Sequence, residues 1–423
     1  MLKKVFGFHS EITTVGMYRI WSPFKWMKKL GLMDTQYVKP QKDIYCPLDP
    51  PSDTNPDLKY DANVGSIREF YEWADIIVRQ KCFSTAWMAL IRLTQDRYKL
   101  PLIVDNDDDL LHVHPNNPVS SIYKNTTNPQ DAARDVKSIK EDEVQSYLDK
   151  GYEVMRIGND IRVGKLKEEW ITHYTLRMMQ MANAVTVTNE NLRQVYLPYN
   201  KNVYILPNYI DPDRWDGVEK APKDTDRVVI GWFGGASHYD DLKVISDVIP
   251  DILEKYPNVE FRWCGAFPDF WAELYNTKKY GDRFKYINWH NDVFQWEKHF
   301  ASFGFDIMLA PLVDTQFNRC KSNIKWMESA MLKIPVVASP VDPYMCIKHK
   351  QDGFLAGKYI EWMGCLSRLI ESKDLREEFG VRAHERVVRD YNMKDHAWKW
   401  ADVYEDVRRK HELSKRGIIL KVA

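Results

Sequence analysis

The stretch KSNIKWMESAMLKIPVVAS, residues 321–339, decides how this chain is read. Its end, IPVVAS, is a short Val-rich run of the kind that forms a buried strand. Its beginning suits a helix over 321–333. At about 100° per residue, Lys321, Lys325 and Glu328 fall within about 60° of one another. Ile324, Met327 and Met331 form a separate stripe about 80° further round. The apolar stripe is expected to pack on a sheet and the charged face to turn elsewhere. One reading makes Lys325 and Glu328 a solvated surface pair. The other takes Ser322 as the N-cap of a helix whose free N–H groups, with Lys321 and Lys325, suit a phosphate or diphosphate. Glu328, one turn deeper, would then accept hydrogen bonds from sugar hydroxyls. The loop FNRC (317–320) before the helix and Ser339 at the end of the strand favour the second reading.

Outward from this stretch, strand-like runs alternate with helical segments. KKVFGFH opens the chain, followed by ADIIVRQ (74–80), PLIVDND (101–107), NAVTVTN (183–189) and NVYILPN (202–208). A polar segment, DPDRWDGVEKAPKDTD (211–226), reads as a linker. The pattern restarts with RVVIGWFGG (227–235), VEFRWCG (259–265), FDIMLAP (305–311) and IPVVASP (334–340). The expected fold class is α/β, with two doubly wound, Rossmann-like domains facing a central cleft, where ligands bind outside the carboxyl ends of the strands. The expected domains are 1–212, with an insertion over about 113–170 that ends in a charged helical run, then 213–394, then a closing helix over 395–423.

The 423 residues are 44% apolar and 28% charged, ordinary for globular domains. Sixty basic residues balance sixty acidic ones, so bulk charge recruits neither nucleic acid nor an anionic membrane. The six cysteines are scattered, without metal-like spacing, and read as reduced thiols of a cytoplasmic protein. No run approaches the roughly 20 apolar residues of a spanning helix.

On these residues the chain resembles the GT-B glycosyltransferases of the large retaining group, family 4-like, which carry a helix reading roughly E-(seven residues)-E-A-M followed by G-x-P-V-V-A-S. Glu328, Ser329, Ala330 and Met331, then Pro335 to Ser339, stand in that pattern; Cys320 stands where the first glutamate would be. Pro207, Asn208 and Asp211 are similar to the family's P-N-G-x-D segment, with Tyr209 in place of glycine. GWFGGASHYDDLKVI (231–245) resembles the glycine-ended first strand of the nucleotide-binding domain, with His238 and Lys243 in place of the usual Arg and Lys. ERVVRDYNMKDHAWKWADVYEDV (385–407) resembles the closing helices. The compact signature is also similar to phage-type members that decorate modified DNA bases.

The resemblance implies sugar transfer, with retention, from a nucleotide-activated donor, UDP-linked by expectation, with no bound cofactor and no metal. Candidates to meet the developing phosphate charge are Gly234, Gly235, Ser237, His238, Lys321, Ser322 and Lys325; for the glycines the alternative is a tight strand-to-helix turn. Gly16 could admit the donor to the backbone and Arg19 could pair with phosphate or acceptor, or the two could form an ordinary turn. Asp105, Asp107, Asp108 and Asp109 end a buried strand and are costly there unless partnered. Asp107 and Asp108, with His238, are the catalytic candidates; an Asp-rich cap and a divalent-cation site are the alternatives. His112 and His114 are more often structural. The acceptor is a saccharide or glycoconjugate hydroxyl, or a hydroxymethylated DNA base bound through a local patch. A sugar-nucleotide epimerase of the same fold and a non-catalytic partner subunit are the rival functions.

Overall fold

A computed structural model describes residues 2–8, 14–37, 59–61, 65–80, 93–113, 133–150, 152–157, 160–166, 171–288 and 292–417. The first half of the chain builds a parallel sheet from β1 (Lys4–Phe8), β2 (Asp34–Tyr37), β3 (Ile76–Gln80), β4 (Leu102–Asp105), β5 (Ala184–Val187) and β6 (Val203–Ile205), in the order β6-β5-β4-β3-β1-β2. The second builds another from β7 (Val228–Gly234), β8 (Val259–Gly265), β9 (Phe284–Ile287), β10 (Ile307–Ala310), β11 (Val336–Ala338) and β12 (Phe354–Leu355), in the order β9-β8-β7-β10-β11-β12. Every pairing within these two sheets is parallel. Parallel strands need helical crossovers that cover both faces, so the central strands are buried and largely apolar; all seven residues of β7 are buried.

The insertion differs from expectation. Its described part is not a charged helical run. Ala133–Ile139, Glu153–Ile157 and Asp160–Leu166 form an antiparallel three-stranded sheet, with a short helix at Val144–Asp149. In DIRVGKL the run Asp160–Val163 alternates polar and apolar residues, a period of two that suits a strand rather than a helix. Residues 114–132, which include His114, lie outside the described residues, as do Cys46 and Cys82. The linker is partly ordered by ion pairs: Lys220 and Lys223 both bind Asp306, beside β10.

One apolar core joins the halves. It runs from Met17, Phe24 and Ile76 through Phe233, Met308 and Trp326 to Trp400 and Tyr404. The last helix, Met393–Lys415, lies on the first domain, with Tyr404 edge-on to Phe24 and Asp406 accepting from Tyr204. Its start is tied to the crossing point by Ile210 N–H to Tyr391 and Met393 N–H to Ile210.

After β1 the chain winds through a helical stretch, Thr14–Lys29, with a π-helical segment at Met17–Trp21. That segment carries Arg19, which is fully buried. Its Nε and Nη2 donate to the two oxygens of Asp105, at 2.9 and 2.7 Å, and its Nη1 to Leu206 O and Asn208 Oδ1. Thr186 completes the Asp105 shell at 2.6 Å. Arg19 therefore does not face a phosphate or acceptor; the guanidinium is consumed by the fold. Gly16 is buried in the same stretch.

Two outcomes are expected. Arg19→Met leaves Asp105 as an unpaired buried charge, which costs about 3–5 kcal/mol. Urea denaturation should show that loss; unchanged stability with weakened donor binding would put Arg19 back in the site. Gly380 sits on the helix Lys373–Asp390, where an added Cβ would lie 2.0 Å from the carbonyl oxygen of Lys333. That neighbour is backbone and cannot swing aside. Gly380→Ala should therefore destabilise by about 1–3 kcal/mol, against the roughly 1 kcal/mol that helix propensity alone would gain. A raised urea midpoint would contradict this.

Candidate functional site

The second sheet has the strand order 3-2-1-4-5-6, and its direction of winding reverses between β7 and β10. The loops leaving such neighbouring strands diverge and open a crevice. Here the loop after β7 carries Gly234 to His238, and the loop after β10 leads into the helix Ile324–Met331. Gly234 is sterically required: a Cβ there would come within 2.7 Å of Trp232 and 3.0 Å of His238. Gly235 is exposed, and a Cβ would meet nothing within 4 Å. Ser237 is half-buried in the same turn.

His238 is held at both ring nitrogens. Nδ1 lies 2.7 Å from Asp241 Oδ2 and Nε2 lies 3.0 Å from Lys325 Nζ. Burial, with the nearby charges of Lys325 and Lys321, pushes the imidazole down to about 3, so it is neutral. Since Lys325 can only donate, Nε2 is the acceptor and Nδ1–H donates to Asp241. Asp241 is itself anchored on its other oxygen by Val313 N–H and Asn318 Nδ2. Burial and the neighbouring Lys321 bring Lys325 down to about 8. Lys321 lies against the Phe317 ring at 4.3 Å. Among the described residues neither lysine has a carboxylate at ion-pair distance.

Glu328 is almost fully buried. Its Oε1 accepts from Tyr18 of the first domain and from Trp296, each at 2.9 Å. Burial, partly offset by these two bonds, raises it to about 7. The solvated Lys325–Glu328 pair is therefore not formed. Trp326, Met327, Ser329 and Ala330 are buried as well, so the helix has no solvated stripe. Ser322 is not the N-cap either; Asn323 holds that position, and Ser322 Oγ accepts from Asn208 Nδ2 at 3.1 Å. Ser339 Oγ accepts from Leu312 N–H and shapes the β10 loop.

The first domain meets this crevice at several points. Asn189 donates to the carbonyls of Cys320 and Lys321. Trp21 stacks on Phe294 at 5.8 Å, and Arg214 pairs with Glu297. Cys320 is buried, with its thiol pushed up to about 12 mainly by burial, and it lies 3.8 Å from Asp109. The aspartates after β4 do not converge on a shared site. Asp105 faces Arg19, while Asp109 caps the following turn through Leu111 and His112 N–H and binds the His112 ring at 2.7 Å. Asp107 and Asp108 are half-buried at the strand end, and the Asp108 carbonyl accepts from Tyr196. The structure thus groups Lys321, Lys325, Glu328, His238 and Gly234, and moves Arg19 and Asp105 into the core. Tyr18, Trp296 and Asp241 were not singled out from the sequence. Tyr18 is adjacent to Arg19 and Asp241 lies three residues after His238, but nothing local marks either as a partner of residue 328 or 238.

Residues 227–372 match the glycosyl transferases group 1 family. No curated protein matches the chain in sequence. Among solved structures, the catalytic domain of starch synthase IV from Arabidopsis thaliana, bound to ADP and acarbose, is similar at a TM-score of 0.57 and 12% identity, over 96% of this chain and 99% of that one. HepE of Anabaena, in complex with UDP and glucose, is similar at 0.55 and 13%, over 95% and 99%. A TarM mutant of S. aureus, in complex with fondaparinux, alpha-GlcNAc-glycerol and UDP, is similar at 0.51 and 14%; the match takes in 80% of this chain but spans only 59% of the TarM chain. The two facing parallel sheets and these likenesses establish the GT-B fold, with a glycosyl transferase group 1 domain at 227–372.

Proposed function

We propose that the chain is a glycosyltransferase that moves a hexosyl group from a UDP-linked donor to a hydroxyl of a saccharide or glycoconjugate, with retention at the anomeric carbon. The observation that carries this reading is the pair of lysines without carboxylate partners, set beside buried Glu328 at the switch point of the second sheet. A half-buried ammonium facing a neutral imidazole is short of negative charge, and a diphosphate supplies it. Lys321 and Lys325 would bind the diphosphate and stabilise the charge that develops as the C1–O bond to it breaks. Among the described residues Glu328 Oε2 receives no hydrogen bond, which leaves it free to accept from ribose hydroxyls. The UDP and ADP complexes of the structural neighbours support a nucleoside diphosphate as the ligand class.

Cys320 favours a second reading. A buried, protonated thiol at the position of the family's first glutamate offers the donor sugar no carboxylate. A chain that binds nucleotide without transferring sugar would serve as a partner subunit. Slow hydrolysis of UDP-glucose by the purified chain, without acceptor, would exclude that role.

Glu328→Gln tests the site itself. The amide oxygen can still accept from Tyr18 and Trp296, so the fold should survive. Above pH 7, where Glu328 is ionised, the loss of a charge-assisted bond to ribose costs roughly 1.5–3 kcal/mol, which is about ten- to a hundredfold in affinity. Calorimetric titration of UDP into both proteins reads this directly, and equal affinities would show that Glu328 only ties Tyr18 to Trp296. Transfer should also persist in EDTA. Complete loss, restored by Mg²⁺ or Mn²⁺, would reassign Asp107 and Asp108 to a metal.

A further inference from the structure

We propose that Asp241 and His238 form a positioning relay for Lys325, in which Asp241 fixes the His238 tautomer so that Nε2 accepts from the Lys325 ammonium and aims it at the diphosphate. The proposal rests on the nucleotide reading above and gives His238, a catalytic candidate in the sequence, the role of a fixed acceptor. The geometry is a continuous chain. Asp241 Oδ2 takes Nδ1–H at 2.7 Å, and Nε2 takes an ammonium proton at 3.0 Å. The tautomer of a histidine is set by the hydrogen bond that its other nitrogen makes. Asp241 cannot turn away from this task, because its Oδ1 is pinned by Val313 N–H at 2.9 Å and Asn318 Nδ2 at 2.7 Å. Both donors come from the β10 loop, so the relay also links the two loops that open the crevice.

The surroundings leave Lys325 dependent on that one neutral acceptor. Lys321 repels it, while Asp241 and Glu328 attract it from further off. Glu297 lies behind Glu328, and Tyr344 faces Asp241 and Glu328. Because Lys325 is brought down to about 8, it is charged at neutral pH and loses its proton as pH rises through about 8, within a range where UDP binding can be measured. Affinity for UDP should therefore fall as pH rises from 7 to 10.

Asp241→Asn is the informative change. The amide oxygen must stay with the two pinned donors, so the NH₂ group faces His238 Nδ1. The ring proton then moves to Nε2 and points at the ammonium. UDP affinity at pH 7 should drop about tenfold or more, and the midpoint of its pH profile should move lower. His238→Leu should behave alike. His238→Gln, whose side-chain oxygen can stand in for Nε2, should restore most of the affinity, with the thermal melts of all three variants recording that they fold. Calorimetry with UDP across this pH range reads every arm. If the unaltered chain binds UDP and Asp241→Asn and His238→Leu bind it equally well at every pH, the relay is wrong and the nucleotide site stands. If His238→Gln binds UDP normally but loses transfer, His238 carries a proton instead. If the unaltered chain binds no UDP, the nucleotide site and the relay fall together.

Discussion

The buried guanidinium of Arg19 is the interaction on which the first domain's working edge depends. It gathers the C-terminal ends of three parallel strands: Asp105 of β4, Thr186 of β5 through that carboxylate, and Leu206 and Asn208 just after β6. Desolvating a charge is expensive, and the cost is offset only when nearly every donor and acceptor is used. Four hydrogen bonds, two of them to the Asp105 carboxylate, meet that condition here. The consequence reaches the other domain. Asn208 accepts from Arg19 with its oxygen and donates to Ser322 with its nitrogen. The residue that precedes the helix Ile324–Met331 by two positions is thus registered against a buried ion pair of the opposite sheet.

The second domain solves the reverse problem. Its crevice holds positive charge without local compensation. Lys325 meets a neutral histidine, and Lys321 meets an aromatic face. A protein that needed these lysines only for solubility would leave them in water. Half-burying one beside another raises the free energy of the empty site, and that energy becomes available to an anionic ligand. Glu328 lies on the same helix but is kept apart from them by its bonds to Tyr18 and Trp296, so it does not quench the charge.

Much of this was legible in the sequence, and the limits have physical causes. The central strands were readable because runs such as VVIGWFG and IMLA are apolar at every position, as two-faced burial demands. The edge strands Asp34–Tyr37 and Phe354–Leu355 were not, because the first is largely polar and the second is only two residues long. The antiparallel sheet of 133–166 was missed because two of its strands, ARDVKSI and EVMRI, mix polar and apolar residues without a period of two. For the site, the spacing of Lys321, Lys325 and Glu328 pointed to one helix face, and the structure keeps them at one crevice. Burial of that face could not be seen, since it depends on Tyr18, 310 residues away in sequence. Arg19 was misread for the same reason: an arginine after a first strand looks alike whether it meets a ligand or an aspartate 86 residues on.

The Tyr18–Glu328 bond gives the two domains a shared term in the same acceptor. Tyr18 sits on the π-helical segment, one residue before Arg19, so its position is inherited from the buried ion pair. The hydroxyl is held neutral, because burial and the adjacent carboxylate push its ionisation well up. It can therefore donate to Glu328 at any physiological pH. A nucleotide whose ribose reaches Glu328 gains most if that carboxylate is already oriented, since a preoriented acceptor pays no rotamer entropy on binding. Trp296 supplies the second fixed donor from the domain's own wall. Orientation of Glu328 is thus built from both domains, whereas orientation of Lys325 is built from the second domain alone, through His238 and Asp241. Relative movement of the sheets would disturb the orientation of Glu328 before it disturbed that of Lys325. In the proposed nucleotide site, the lysine end is thus held by one domain and the Glu328 end by two.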